Sequence, residues 1–195
     1  MDTNRAFSRA ERVSKALLER FLSPYKADCQ YLKSAQFYYP PDGSPEKSMG
    51  FIKGDFAIEE SCYIDDTGHF NSVEFNICYN QIFYVLIAYL LQNHLLLEMS
   101  DWDLELYKRR QLSDFLITRF SSTFRKPVDA SAFQGMLSID KCAARSGLVS
   151  VKTSCAFYDE NGWSEGQVTV CVVDTAARRA KEARQAQSAN YSLSS

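Results

Sequence analysis

Residues 61–91 read SCYIDDTGHFNSVEFNICYNQIFYVLIAYLL, and the reading of this stretch decides the fold. It opens on polar residues, Asp65, Asp66, Thr67, Gly68 and His69, and then runs into a segment that is apolar on nearly every side. A helix apolar all round is one that other elements enclose, so the pattern predicts a buried helix from about Asn71 to Asn93. At 1.5 Å per residue its roughly 22 residues span ~33 Å. Asn71, Glu74, Asn80, Gln81 and Tyr84 are set inside it. A buried polar group without a partner costs roughly 1–3 kcal/mol, so each of these needs a partner or a purpose.

On the N-terminal side, residues 4–22 carry helical spacing, with Val13, Leu17, Leu18 and Leu22 on one stripe. Residues 30–39 and 49–63 read as strands, separated by a loop at 40–48 that holds Pro40, Pro41, Gly43 and Pro45. On the C-terminal side, Ser100, Asp101 and Asp103 offer an N-cap and an acidic first turn for a short helix through Tyr107. Strands follow at 115–124, 133–142, 148–158 and 166–173, with Asp159-Glu160-Asn161-Gly162 as a hairpin turn before the last. Residues 175–195 lose their large aliphatics and read as a mobile tail or a marginal surface helix. The order is helix, two strands, one long helix, four strands. That is the α+β pattern of a hot-dog domain, an antiparallel sheet wrapped around one long central helix. The expected organisation is an N-terminal helix over 1–22, a hot-dog domain over 23–174 and a tail over 175–195.

Composition narrows the function classes. With 46% hydrophobic and 13% aromatic residues over 195 positions, the chain is long and apolar enough to bury a core and is not a disordered polymer. Basic and acidic residues number 22 and 24, so there is no basic field to attract nucleic acid. The longest apolar run, residues 82–91, is half of the ~20 residues that cross a bilayer, so no membrane partner is expected. The first 22 residues are charged throughout and lack a signal peptide's apolar core, and a cytoplasmic location is expected. Six cysteines without a CxxC pair, and two histidines, do not make a finger-type zinc site, so neither metal nor cofactor is expected. Nucleophile-elbow, P-loop and dinucleotide motifs are absent from the sequence.

On a helical wheel Asn71, Glu74, Cys78, Ile82 and Tyr89 share one side, with Asn80 and Tyr84 roughly opposite. Two polar spots on opposite faces serve one pocket only if it lies between helices of two subunits; otherwise one spot is structural. Each candidate has a plain alternative. Glu74 either complements the helix N-terminus or acts as a base. His69 either caps and packs, or acts together with Tyr63, Asn71 and Glu74. Asn80 and Tyr84 either satisfy each other or meet substrate. Arg125 and Lys126 form either a solvated strand end or a site for a carboxylate or phosphate.

The segment Tyr63-Ile64-Asp65-Asp66-Thr67-Gly68-His69-Phe70-Asn71-Ser72-Val73-Glu74, followed by Cys78-Tyr79-Asn80-Gln81, resembles the FcoT family of hot-dog proteins. The likeness continues in Ser23-Pro24-Tyr25, Cys29-Gln30-Tyr31-Leu32, Ser122-Thr123-Phe124-Arg125-Lys126-Pro127 and Phe157-Tyr158-Asp159-Glu160-Asn161-Gly162, covering roughly residues 15–173. The resemblance implies a fatty acyl thioesterase fold. It further implies the chemistry of relatives that act as (2E)-enoyl-[ACP] glycyltransferases in isonitrile lipopeptide and β-amino acid starter pathways. These add glycine to C3 of a (2E)-enoyl thioester in an aza-Michael reaction, and thioester hydrolysis then releases a 3-[(carboxymethyl)amino] fatty acid. The family's pocket positions match Tyr25, Tyr63, Asn71, Asn80 and Tyr84; His69 and Glu74 stand at motif positions.

The sequence thus sets Tyr63, His69, Asn71 and Glu74 as the expected catalytic residues, with His69 or Glu74 as the base that frees the glycine amine. Free N–H groups at the helix start near Asn71 are expected to hold the enolate oxygen. Tyr25, Asn80, Tyr84, Arg125 and Lys126 are expected to bind substrate, and the last two to take glycine's carboxylate. The expected partners are glycine, an enoyl thioester on an acyl carrier protein or coenzyme A, and further copies of the chain in a homodimer or higher homo-oligomer. The loop at 40–48 is longer than the family's. Tyr79, Phe83, Leu86 and Tyr89 are bulky for a long acyl tunnel, which points to a short or medium acyl group. A plain acyl thioesterase and a non-catalytic acyl-binding module are the alternatives.

Overall fold

The computed structural model describes residues 9–40, 49–65, 67–145 and 147–173. Most of the proline-rich loop, Asp66, the first residues of the expected N-terminal helix and the expected tail lie outside the described residues.

In chain order the elements are β1 (Arg9–Arg12), α1 (Lys15–Leu22), β2 (Leu32–Tyr39), β3 (Phe51–Phe56), α2 (Ser72–Gln92), α3 (Leu104–Arg110), β4 (Phe115–Lys126), β5 (Phe133–Arg145), β6 (Leu148–Tyr158) and β7 (Trp163–Val173). Short 3₁₀ turns at Ala27–Cys29 and Leu97–Met99 join them. The strands form one antiparallel seven-stranded sheet in the order β1-β2-β3-β5-β6-β7-β4. α2 packs against the sheet at β2, β3 and β5, and every residue from 81 to 91 is buried. The α+β hot-dog architecture is therefore the fold of this chain.

Several polar groups in the apolar run prove to be partnered core. The fully buried Gln81 accepts from Tyr31 N and Leu32 N, both at 2.9 Å, and donates to Cys29 O at 2.6 Å. One amide side chain thereby stitches the start of β2 to the helix. Tyr79 Oη meets Thr153 Oγ1 at 2.9 Å, and Tyr89 Oη meets Tyr39 Oη at 2.7 Å.

Two expected elements differ. The helix over 4–22 is replaced by a strand, Arg9–Arg12, and a helix that starts only at Lys15. Ser14 ends the strand and caps the helix, its Oγ accepting from Leu17 N at 3.2 Å. The strand exists because β2 pairs with it, a non-local partner that helical periodicity cannot report. The strand expected over 49–63 stops at Phe56, because Ala57 N turns to Tyr31 O and Ile58 N to Ala130 O, at 3.1 and 2.9 Å. α1 still packs on the core through Leu17, Leu18, Phe21 and Leu22. Its last carbonyls are held by α3: Lys108 Nζ donates to Arg20 O at 2.6 Å and Gln111 Nε2 to Phe21 O at 3.0 Å.

The sheet's two edges contrast. β1 is short and charged, as edges that avoid pairing are. β4 is 12 residues long and leaves Leu116, Ile117 and Phe124 exposed.

Candidate active site

The chain reaches α2 through an irregular segment after β3, and backbone bonds fix its course. Cys62 N donates to Tyr31 Oη at 3.0 Å, and Phe70 N donates to Val128 O at 3.0 Å. The second bond draws the start of α2 against the end of β4. Phe70 itself is buried among Phe75, Phe133 and Phe157. The turn between β6 and β7 buttresses the same place. Asp159 accepts from the backbone N–H groups of Asp129, Asn161 and Gly162, and Gly162 lies so close to Pro127 O that a Cβ would sit 2.0 Å from it. Only glycine allows that approach.

At the helix start Asn71 is extended, and its Oδ1 accepts from Val73 N at 2.9 Å, Glu74 N at 3.3 Å and Tyr63 Oη–H at 2.7 Å. The Glu74 carboxylate returns the cap by accepting from Asn71 N at 3.0 Å, which completes a capping box. Three donors on Oδ1 settle which end of the amide is oxygen, so the Asn71 NH₂ group faces away from the helix. Of the first-turn N–H groups expected to be free, those of Val73 and Glu74 are taken by the cap. The Asn71 NH₂ group is a further donor at this helix start. Glu74 is 3% exposed, and its carboxylate is committed to the cap.

His69, Phe70, Asn71 and Ser72 form one wall of a surface cleft of about 400 Å³, and Phe124, Arg125, Lys126 and Pro127 form the other. His69 Nδ1 lies 2.9 Å from Thr67 O, an atom that only accepts, so Nδ1 carries the proton and the neutral ring keeps its basic lone pair on Nε2. Thr67 Oγ1 donates to His69 O at 2.9 Å and closes the loop. Arg125 is paired with Glu165 at 3.1 Å, whose carboxyl the Arg125 hydrogen bond holds below its ordinary range. Lys126 has no such carboxylate among the described residues. Tyr63, His69, Asn71 and Glu74 thus gather at one end of α2, with Arg125 and Lys126 across the cleft. Phe70, Ser72, Phe124 and Pro127 also line it and were not expected; an aromatic beside the basic pair at a strand end was the available signal.

The remaining three expected residues do not gather as one group. Tyr25 follows α1, its N–H bound to Leu22 O at 2.9 Å and its carbonyl accepting from Gln30 Nε2 at 3.1 Å. Its ring centroid is 6.5 Å from that of Tyr84, and burial pushes both phenols above their ordinary range. The Tyr25 phenol is also within electrostatic reach of Cys78, and the Cys78 thiol within reach of Glu74. Asn80 stands apart: it donates to Asn76 Oδ1 at 3.2 Å on a flank of α2 where Val73 is 46% exposed and Ile77 half-buried. The wheel's pairing of Asn80 with Tyr84 is therefore split: Tyr25 and Tyr107 of α3 lie against Tyr84, while Asn80 turns to Asn76. Among the described residues no three His, Cys, Asp or Glu side chains gather to hold a metal ion.

A family model for the FcoT-like thioesterase domain matches residues 20–172. A (2E)-enoyl-[ACP] glycyltransferase from Streptomyces coeruleorubidus is 40% identical over 168 residues, 83% of this chain and 98% of that one. One of the same name from Mycobacterium tuberculosis is 36% identical over 154 residues, covering 77% of this chain and 81% of that one. Among solved structures, the dehydratase domain of RzxB from Pseudomonas fluorescens is similar in fold, with a TM-score of 0.52 at 13% identity, over 87% of this chain and 54% of that one.

Proposed function

The chain belongs to the FcoT-like thioesterase family, and from that footing we propose that it adds glycine to C3 of a (2E)-enoyl thioester borne by an acyl carrier protein. The observation that carries this reading is the cleft lined by His69, Asn71 and Lys126.

Glycine arrives as an ammonium, and His69 Nε2 takes one of its protons. The freed amine forms a bond to C3, and the π electrons move onto the thioester oxygen as an enolate. The Asn71 NH₂ group, held outward by the cap, donates to that oxygen as its charge grows. C2 then takes a proton from the imidazolium, which restores the base. Lys126, with Arg125 behind it, binds glycine's carboxylate. Glu74 and Tyr63 hold Asn71 in place from opposite sides. Water activated by the same histidine then cleaves the thioester and releases the 3-[(carboxymethyl)amino] acid. Tyr25 and Tyr84 border the acyl chain. The bulky Tyr79, Phe83, Leu86 and Tyr89 fill the space around α2 and favour a short or medium acyl group.

The enzyme acts in the cytoplasm as a homodimer. A long apolar edge at β4, with the open flank of α2 at Val73 and Ile77, supports a second copy as the cover. No helix among the described residues is long and apolar enough to cross a membrane.

The test is to incubate the chain with glycine and enoyl-loaded carrier proteins of graded length and follow the adduct by mass spectrometry. Adduct formation is expected. Release of free acid from saturated and unsaturated thioesters alike, with no adduct at any length, would leave a plain thioesterase.

A further inference from the structure

His69 is exposed, and an exposed imidazole is ordinarily free to change rotamer and to carry its proton on either ring nitrogen. Here the two residues before it restrain both. Thr67 and His69 bond each other twice in opposite senses: His69 Nδ1–H donates to Thr67 O, and the Thr67 hydroxyl donates to His69 O, both at 2.9 Å. Gly68 between them takes φ +73°, a left-handed conformation that suits glycine. The peptide that follows His69 is fixed from its other side. Phe70 N donates to Val128 O at 3.0 Å, and the Phe70 ring is buried.

We propose that Thr67 is a positioning residue: by closing the turn through Gly68, its hydroxyl sets which nitrogen of His69 acts as the base and holds the ring at the cleft. A catalytic imidazole is commonly oriented by a buried carboxylate on its far nitrogen. The Nδ1 partner here is instead a backbone carbonyl of the same turn, while the buried Glu74 carboxylate serves Asn71 N. A carbonyl oxygen has no proton to give, so Nδ1 carries the proton and Nε2 the lone pair. When Nε2 takes a proton from the glycine ammonium, that N–H bond breaks and its electron pair stays on the amine. The ring is then a cation, and the Nδ1–H bond to Thr67 O becomes charge-assisted and stronger. The turn thus favours the ring both before and after the transfer. The effect on rate rests on the reading of His69 as the base given above; the tautomer does not.

Two substitutions reach this turn by different physical routes. Thr67→Val keeps the branched shape and removes the donor to His69 O. Gly68→Ala adds a Cβ that meets no heavy atom within 4 Å, so it acts through the positive φ and not through a clash. Thr67 and Gly68 are exposed, so neither change disturbs the core. Thr67→Ser keeps the hydroxyl and serves as the conservative control.

The full chain is labelled with nitrogen-15 at histidine, and two-bond proton–nitrogen correlation spectra are recorded at a pH where the rings are neutral. The sequence holds two histidines, and a His94→Asn variant assigns the signals. His69 should show the Nδ1–H tautomer in the wild type and in Thr67→Ser, and a mixture of tautomers in Thr67→Val and Gly68→Ala. In the adduct assay Thr67→Val should lower kcat about 10- to 100-fold with the KM for glycine within about twofold, and Thr67→Ser should keep kcat within about threefold. An Nε2–H tautomer in the wild type would overturn the proposal. So would an Nδ1–H tautomer that survives both Thr67→Val and Gly68→Ala, or a Thr67→Val protein whose tautomer shifts while kcat stays at the wild-type value. If the chain forms no adduct at all, the spectra still decide whether Thr67 holds His69, so failure of the proposed reaction is read separately.

Discussion

The two halves of α2 obey different rules. From residue 81 to 91 protein surrounds the helix, and its polar groups are spent on neighbours: Gln81 on Tyr31, Leu32 and Cys29, and Tyr89 on Tyr39. From Asn71 to Asn80 one flank stays open, and the polar groups are held in place without being used up. Asn71 lines the cleft while its amide oxygen serves three donors. One continuous helix is thus enclosed at one end and borders an open cleft at the other, where the cap sits.

Substitutions can break that contrast. The largest effect is expected for His69→Ala, which should lower kcat/KM for adduct formation about 10²–10⁴-fold with an unchanged melting curve, since His69 is exposed. A full-rate variant would remove histidine from the reaction. Leu86→Ala makes the opposite change: it opens a cavity in the enclosed half, and chemical denaturation should show a loss of about 2–5 kcal/mol. Gln81→Ala leaves two N–H groups and a carbonyl without their partner at the junction, and roughly 1–3 kcal/mol should be lost in the same assay. Asn71→Ala removes the cap, so about 1 kcal/mol of stability should disappear while activity falls far more. Smallest is Glu74→Gln. Glutamine closes a capping box as well as glutamate does, so stability should change by no more than about 0.5 kcal/mol and the adduct rate should persist. Loss of rate there would make Glu74 the base in place of His69.

The two ends of the site were unequally legible. Asn71 and Glu74 stand three residues apart, and a capping box is a local pattern, so the sequence contained both the helix start and its cap. The opposite wall, Phe124 to Pro127, comes from a strand end more than fifty residues later, at 124 − 71 = 53. Its position depends on Phe70 N reaching Val128 O and on Gly162 letting Pro127 come close. Neither is a local property. The same reason explains the N-terminal error: residues 9–12 carry helical spacing, but pairing with β2 overrides it.

The sequence by itself determined a helix too apolar to lie on a surface, the strands around it and the turn at Asp159 to Gly162. Periodicity, caps and turn chemistry act within a few residues and are written in order along the chain. Only the tertiary structure decided that Glu74 closes the cap, that the Val73 and Glu74 N–H groups go to Asn71 Oδ1, and that His69 and Lys126 line one cleft. Those outcomes depend on which distant carbonyl or side chain claims each donor and acceptor, and that competition is settled by packing.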